Sequence, residues 1–169
     1  NASLAQNISD TIVNDVLKKD GVGLNLDELK VSDEYTFKHS VDVAAGSIIL
    51  AKYLGLGADN IRDIGTAGVL HDIGKIMIPN EILNKNGKLT DKEFAVIKNH
   101  PVYGYQMLSK NQSIAEPIRR AVLYHHEKFC GGGYPSGLKG NEIPLYARVL
   151  SVIDVFDALV TERPYHKAY

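Results

Sequence analysis

The sequence predicts an all-α fold, a helical bundle carrying one long Gly/Pro-rich loop. Apolar residues recur at helical spacing in segment after segment, and no stretch of useful length alternates apolar with polar residues. Helix start and stop signals also sit where the periodic runs begin and end. From Ser9 to Lys19 the residues Ile12, Val13, Val16 and Leu17 form an apolar stripe, and Asp20-Gly21-Val22-Gly23 supplies the stop. Ser32 or Asp33 can cap a long, mostly buried helix running through Val41, Val43, Ile48 and Ile49 to a glycine end near Gly55. Asp59 opens a third helix, with Ile61, Ile64, Val69 and Leu70 apolar, reaching about Asp72. IGKIMIPNEILNKNG then reads as a connection. Thr90-Asp91-Lys92-Glu93 is a capping box leading into FAVIKN, and His100-Pro101 starts the next helix because proline suits a first turn. Ser113 to His126 reads as a helix with Pro117 near its first turn, and Leu145 to Thr161 as the last. Between them lies the loop, Glu127 to Pro144.

Size and composition restrict the function. A chain of 169 residues, 44% of them hydrophobic, builds one core rather than two. Residues 1–30 are read as a linker-helix region and 31–169 as the domain. The chain starts without Met and stops at RPYHKAY without a turn signal, so it is read as an excised module truncated at its C-terminus. With 19 basic and 20 acidic residues, no global field argues for duplex nucleic acid or an anionic membrane. No apolar run reaches the roughly 18 residues of a membrane span. One cysteine cannot make an internal disulfide, which fits a cytoplasmic setting.

The histidines carry the chemistry. Of six, those at 39, 71, 100, 125 and 126 fall at or near predicted helix ends or faces beside carboxylates. One buried histidine commonly just satisfies local hydrogen bonds, whereas five in this company call for a cation. His71-Asp72 offers a nitrogen and an anionic oxygen together, and that carboxylate can bridge two ions. In VLSVIDVFDAL the helix is apolar on nearly every side and is expected to be buried throughout, so a carboxylate there needs a partner. Asp154 and Asp157 both qualify, and spacing does not choose between them. His125 and His126 lie about 100° apart on a regular helix, so both reach one ion only where the helix end loosens. Gly131, Gly132 and Gly133 next door permit positive φ or close backbone approach, while Tyr134 and Pro135 stiffen the far side. Lys75 follows His71 by one turn and can project the same way.

Five ordered motifs, YTFKHS, HDIGK, NHPVYGYQML, HHEKFCGGGYPSGLKGNEIP and SVIDVFDALVTERPY, give the chain from Tyr35 to Tyr169 a resemblance to the HD-GYP family of metal-dependent phosphohydrolases. The resemblance implies an HD-domain helical bundle whose Gly/Pro-rich segment is the GYP loop. It implies hydrolysis of cyclic di-GMP to linear pGpG, and possible onward cleavage to GMP, through a metal-bridging hydroxide. It further implies two divalent ions, iron or manganese before nickel, cobalt or zinc. His39, His71, Asp72 and Asp154 would hold one, with Asp72 bridging to a second held by His100, His125 and His126, so Asp154 is preferred over Asp157. Lys75, Arg163 and Tyr134 would face the substrate, with Lys75 beside the scissile phosphate. The loop would also serve protein contacts, and the stripe of residues 12–17 offers either a homodimer surface or a face that packs on the domain itself. Cyclic GMP-AMP is the alternative substrate, and a nucleotide-binding adaptor with little turnover the alternative role. The chain departs from the family pattern at Cys130, read as a loop variant, at His166, which replaces a basic residue, and at Tyr35, where members with three metals carry glutamate.

Overall fold

The computed structural model describes residues 34–161, with side chains from Phe37 onward, and every regular element among them is helical. In order these are α1 (Glu34–Tyr53), α2 (Ala58–Leu70), a 3-10 segment (Ile73–Met77), the single turn α3 (Asn80–Leu83), α4 (Asp91–Ile97), α5 (His100–Leu108), α6 (Glu116–Tyr124), a 3-10 turn (Gly140–Glu142) and α7 (Leu145–Val160). The expected stripe at residues 12–17, Arg163, His166 and the side chain of Tyr35 lie outside the described residues.

The core follows from the apolar faces that the periodicity marks. Val43 of α1, Leu70 of α2, Leu108 of α5, Val122 of α6 and Leu150 of α7 all bury into one cluster, which Ile73 of the 3-10 segment joins. Thr90 caps α4 as predicted: its hydroxyl accepts from Glu93 N at 3.3 Å while the Glu93 carboxylate accepts from Thr90 N at 2.7 Å. Pro101 and Pro117 each occupy a first helical turn, where a missing N–H costs no intrahelical bond. α6 begins at Glu116 rather than Ser113, because Asn111 bends the preceding segment by accepting from both the amide and the hydroxyl of Ser113. α2 stops at Leu70, and the expected connection after it holds the 3-10 segment and α3.

The expected burial of α7 fails. α7 is not buried throughout: Val152, Val155, Phe156 and Leu159 form an exposed stripe, continued by Val160, opposite the face carrying Ala147, Leu150 and Asp157. Apolar character reports what a helix face tolerates, while burial depends on which neighbours cover it. Here α1, α2 and α6 cover only one side.

Candidate metal centre

The site is assembled from helix ends. The last four carbonyls of a helix have no intrahelical partner, and the protein uses such carbonyls three times to fix an imidazole. His71 stands just past α2 and its Nδ1 donates to Gly68 O at 2.7 Å. His100 follows the end of α4 and its Nδ1 donates to Ile97 O at 2.8 Å. His125 caps α6 and its Nδ1 donates to Val122 O at 2.7 Å. A carbonyl only accepts, so in each ring Nδ1 carries a proton and Nε2 is left to face inward. His39, in the second turn of α1, has a carboxylate instead, its Nδ1 lying 2.6 Å from Asp157 Oδ2.

The inward nitrogens then meet carboxylate oxygens and one another. His39 Nε2 lies 3.2 Å from Asp154 Oδ1 and 3.8 Å from Asp72 Oδ2. His71 Nε2 is 3.3 Å from Asp72 Oδ2, and His100 Nε2 is 3.2 Å from Asp72 Oδ1 and 3.4 Å from His125 Nε2. His71 Nε2 and Asp72 Oδ1 are buried without a hydrogen bond. Lone pairs facing carboxylates in a buried site repel unless positive charge stands between them. The donor set, imidazole nitrogens with carboxylate oxygens, is the one divalent transition metals take. Two groups emerge, each with its ligand atoms within 4.8 Å of one another: His39, His71 and Asp72, and Asp72, His100, His125 and His126. Asp72 belongs to both, and the residues fit a metal.

Electrostatics agree with that fit. Burial pushes the Asp72 carboxyl up, but the Lys75 ammonium at 2.6 Å and His71 override it and hold it well below the usual carboxylate range. Burial acts likewise on Asp154, where His39 prevails and the carboxyl again stays ionised. Burial and the neighbouring imidazoles depress His125 strongly and His126 to about 4, so both rings are neutral at physiological pH.

The structure separates the two carboxylates that spacing left open. Asp154 faces the cluster, with Oδ2 also 3.9 Å from His126 Nδ1, whereas Asp157 lies behind His39. The histidine pair behaves as the loosened helix end requires. α6 ends at Tyr124, and the rings of His125 and His126 come within 4.0 Å, centroid to centroid. Lys75 rides on the 3-10 segment rather than a continued α2, and still reaches Asp72. Tyr134 folds back over the site, its ring 4.8 Å from that of His126 and its amide donating to His126 O at 3.3 Å. This return needs Gly133, where a Cβ would stand 2.4 Å from Lys128 N and 2.6 Å from His126 O. Cys130 is exposed and stands apart from both ligand groups.

Glu127 is the functional residue that sequence reasoning passed over. It is only 2% exposed, and its Oε1 accepts from Ser136 N at 2.7 Å and Gly137 N at 2.9 Å. It pins the far limb of the loop to the residue next to His126. The signal was present in HHE, a carboxylate directly following two ligand candidates.

Residues 24–169 match the HD domain family. The chain is 45% identical over 165 residues to a cyclic di-GMP phosphodiesterase of Pseudomonas aeruginosa, covering 98% of this chain and 40% of that protein. It is 42% identical over 135 residues to a 3'3'-cGAMP-specific phosphodiesterase of Vibrio cholerae, covering 79% and 29% respectively. Among solved structures, an HDG"Y"P protein from Bdellovibrio bacteriovorus superposes with a TM-score of 0.65 at 25% identity, over 75% of this chain and 41% of that one. The chain thus spans about two fifths, or less, of the length of these relatives. No helix among the described residues is long and apolar enough to cross a membrane. With its helical architecture, its buried imidazole–carboxylate cluster and these matches, the chain belongs to the HD domain family, in its HD-GYP branch.

Proposed function

We propose that this domain hydrolyses cyclic di-GMP to linear pGpG, using two divalent ions. The observation that carries the reading is the convergence of buried imidazole nitrogens on the shared Asp72 carboxylate. In this reading His39, His71, Asp72 and Asp154 hold one ion, and Asp72, His100, His125 and His126 the other. Iron or manganese is the expected metal. Such a pair supplies acidified water and neutralises charge developing on phosphorus. The chain's own residues bind and orient. Lys75, whose side chain is 28% exposed, would pass from Asp72 to a non-bridging phosphate oxygen or the leaving oxygen. Tyr134 narrows the mouth above His126 and is the expected substrate contact on that side. Arg163, outside the described residues, is the expected second phosphate contact.

A second substrate, 3'3'-cyclic GMP-AMP, is favoured by the specific name of the Vibrio cholerae relative, because the metal cluster alone does not read the bases. Phe129 and Cys130, exposed on the loop, leave an edge for a protein partner. A lone exposed thiol is compatible with the cytoplasm that this reading expects.

The test is anaerobic incubation of the chain with either cyclic dinucleotide and ferrous or manganous ion, with products resolved by chromatography and mass. Linear pGpG from the parent, lost in His126→Ala, is expected. Absence of product from both substrates, with metal and nucleotide bound, would replace catalysis with a receptor role.

A further inference from the structure

Asp157 was left by the sequence as a rival metal ligand, and the structure gives it different work. Three of the inward-facing histidines take their orientation from backbone carbonyls at helix ends. His39 has no such carbonyl. It lies within the twenty-residue α1, where the preceding carbonyls are engaged by the helix itself. An acceptor for its Nδ1–H has to come from elsewhere in the fold, and it comes from α7, 118 residues away, as Asp157 Oδ2 at 2.6 Å.

The carboxylate is itself held in place. Its Oδ1 accepts from Thr161 Oγ1 at 2.9 Å, and the Thr161 amide donates to the Asp157 carbonyl at 2.9 Å, so the last turn of α7 closes around it. Asp157 is 6% exposed, and its side chain spends one oxygen on Thr161 and the other on His39. A bare structural carboxylate would not need to sit behind a ring whose opposite nitrogen is 3.2 Å from Asp154 and 3.8 Å from Asp72.

We propose that Asp157 is a positioning residue for His39: it accepts the Nδ1–H, fixes that tautomer, and so holds the Nε2 lone pair toward Asp72 and Asp154. An imidazole backed by a carboxylate is also a more basic ligand than one backed by a carbonyl. The His39 side of the site therefore gains donor strength that the His100 side, backed by Ile97 O and Val122 O, lacks. This inference rests on the metal-binding reading above, but its first test does not need a metal.

The decisive variant is Asp157→Asn, which keeps size and helix while removing the charge and allowing an N–H to face His39 Nδ1. The metal-free parent, labelled with nitrogen-15 in its histidines and assigned with His39→Gln, should show His39 protonated on Nδ1. In Asp157→Asn the ring proton should move wholly or partly to Nε2, while His71, His100 and His125 keep their Nδ1 protons. A manganous-ion titration, read by the electron paramagnetic resonance of the free ion, should then show one class of site weakened about 10–100-fold and the other nearly unchanged. If Asp157→Asn fails to fold, Thr161→Val loosens the same carboxylate, and should weaken that class of site by a smaller factor. His39 protonated on Nε2 in the parent would overturn the proposal. So would a folded Asp157→Asn, or a Thr161→Val, that retains parental tautomer and affinity. A parent with Nδ1-protonated His39 that takes up no manganous ion would instead sink the metal reading and leave the Asp157–His39 bond standing.

Discussion

Gly74 of HDIGK joins the fold to the site, and replacing it with alanine should damage both. The 3-10 segment passes so close to the start of α5 that a Cβ on Gly74 would lie 1.9 Å from His100 O and 2.5 Å from Gly104 N. Both are backbone atoms, so no rotamer change relieves the clash. Real Cβ contacts essentially never fall under 3.0 Å, so the two segments must part by at least about 1 Å. Overpacking of ordinary cores costs about 1–3 kcal/mol when side chains can adjust, and with only backbone to move, about 3 kcal/mol is a lower bound. In urea, at about 1–3 kcal/mol per molar, the midpoint should fall by about 1–3 M. The same parting carries His100 away from Asp72, whose Oδ1 is now 3.2 Å from its Nε2. Misplacement on that scale costs about 100-fold in rate. The assay is urea unfolding of the metal-free protein followed by circular dichroism, then a manganous-ion titration. Gly57→Ala serves as control, because a Cβ there meets nothing within 4 Å. A Gly74→Ala midpoint matching that control, with full metal uptake, would refute the packing argument.

The remaining predictions concern single interactions. Glu127→Ala should release the loop: hydrogen exchange at Ser136 and Gly137 should accelerate, and stability should fall by about 1.5–3 kcal/mol, the worth of a hydrogen bond to a charged group. Unchanged exchange there would mean that other contacts hold the loop. Glu93 is pulled down to about 2 by its hydrogen bonds from Lys85 and then Thr90. A depressed carboxyl stabilises the fold above its unfolded value near 4.5 and loses that effect as pH falls toward 2. Glu93→Gln should therefore lower the unfolding midpoint at pH 7 and converge on the parent between pH 4.5 and 2; a gap independent of pH would contradict the ionic account. Chelator treatment should lower the thermal midpoint, and manganous ion at about 100 times its dissociation constant should return about 2.7 kcal/mol. An unmoved midpoint would mean that the cluster does not bind that ion.

Much of the fold was legible because local signals and tertiary packing agree. The Thr90 capping box and the proline-led start of α5 are short-range chemistry, and the structure keeps them, while α6 runs from Glu116 to Tyr124 rather than from Ser113 to His126. Two things were not legible. The exposed stripe of Val152, Val155, Phe156 and Leu159 was invisible, because periodicity records a helix's own faces and says nothing of its neighbours. Asp154 and Asp157, three apart on one helix, share a face, and only their approach to the two different nitrogens of His39 separates their roles. Resemblance preferred Asp154, which the structure turns toward His39 and His126, and it offered no work for Asp157. Glu127 has no role legible in its motif, since its partners are backbone amides nine and ten residues away in a loop whose path sequence does not specify.

The way the site is built sets an order of binding. α2 and α6 both end at the cluster, so their negative dipole ends point at it, beside Asp72 and Asp154. Lys75 is the one cation among the described residues paired with these carboxylates, and it is already committed to Asp72 at 2.6 Å. Without metal the site is therefore hostile to a dianionic nucleotide. Two like charges about 4 Å apart at a partly buried surface repel by about 4 kcal/mol, close to a thousandfold in affinity. In the proposed reading divalent ions would reverse that sign and free Lys75 for phosphate. Metal should thus be required for nucleotide binding as well as for turnover, which a slowly hydrolysed phosphorothioate analogue of cyclic di-GMP can test by calorimetry. Metal-free protein should bind it at least about a hundredfold more weakly than manganese-loaded protein. Equal affinities would mean that the nucleotide is held by the bases, away from the cluster, and that the phosphate contacts assigned to Lys75 form only during reaction.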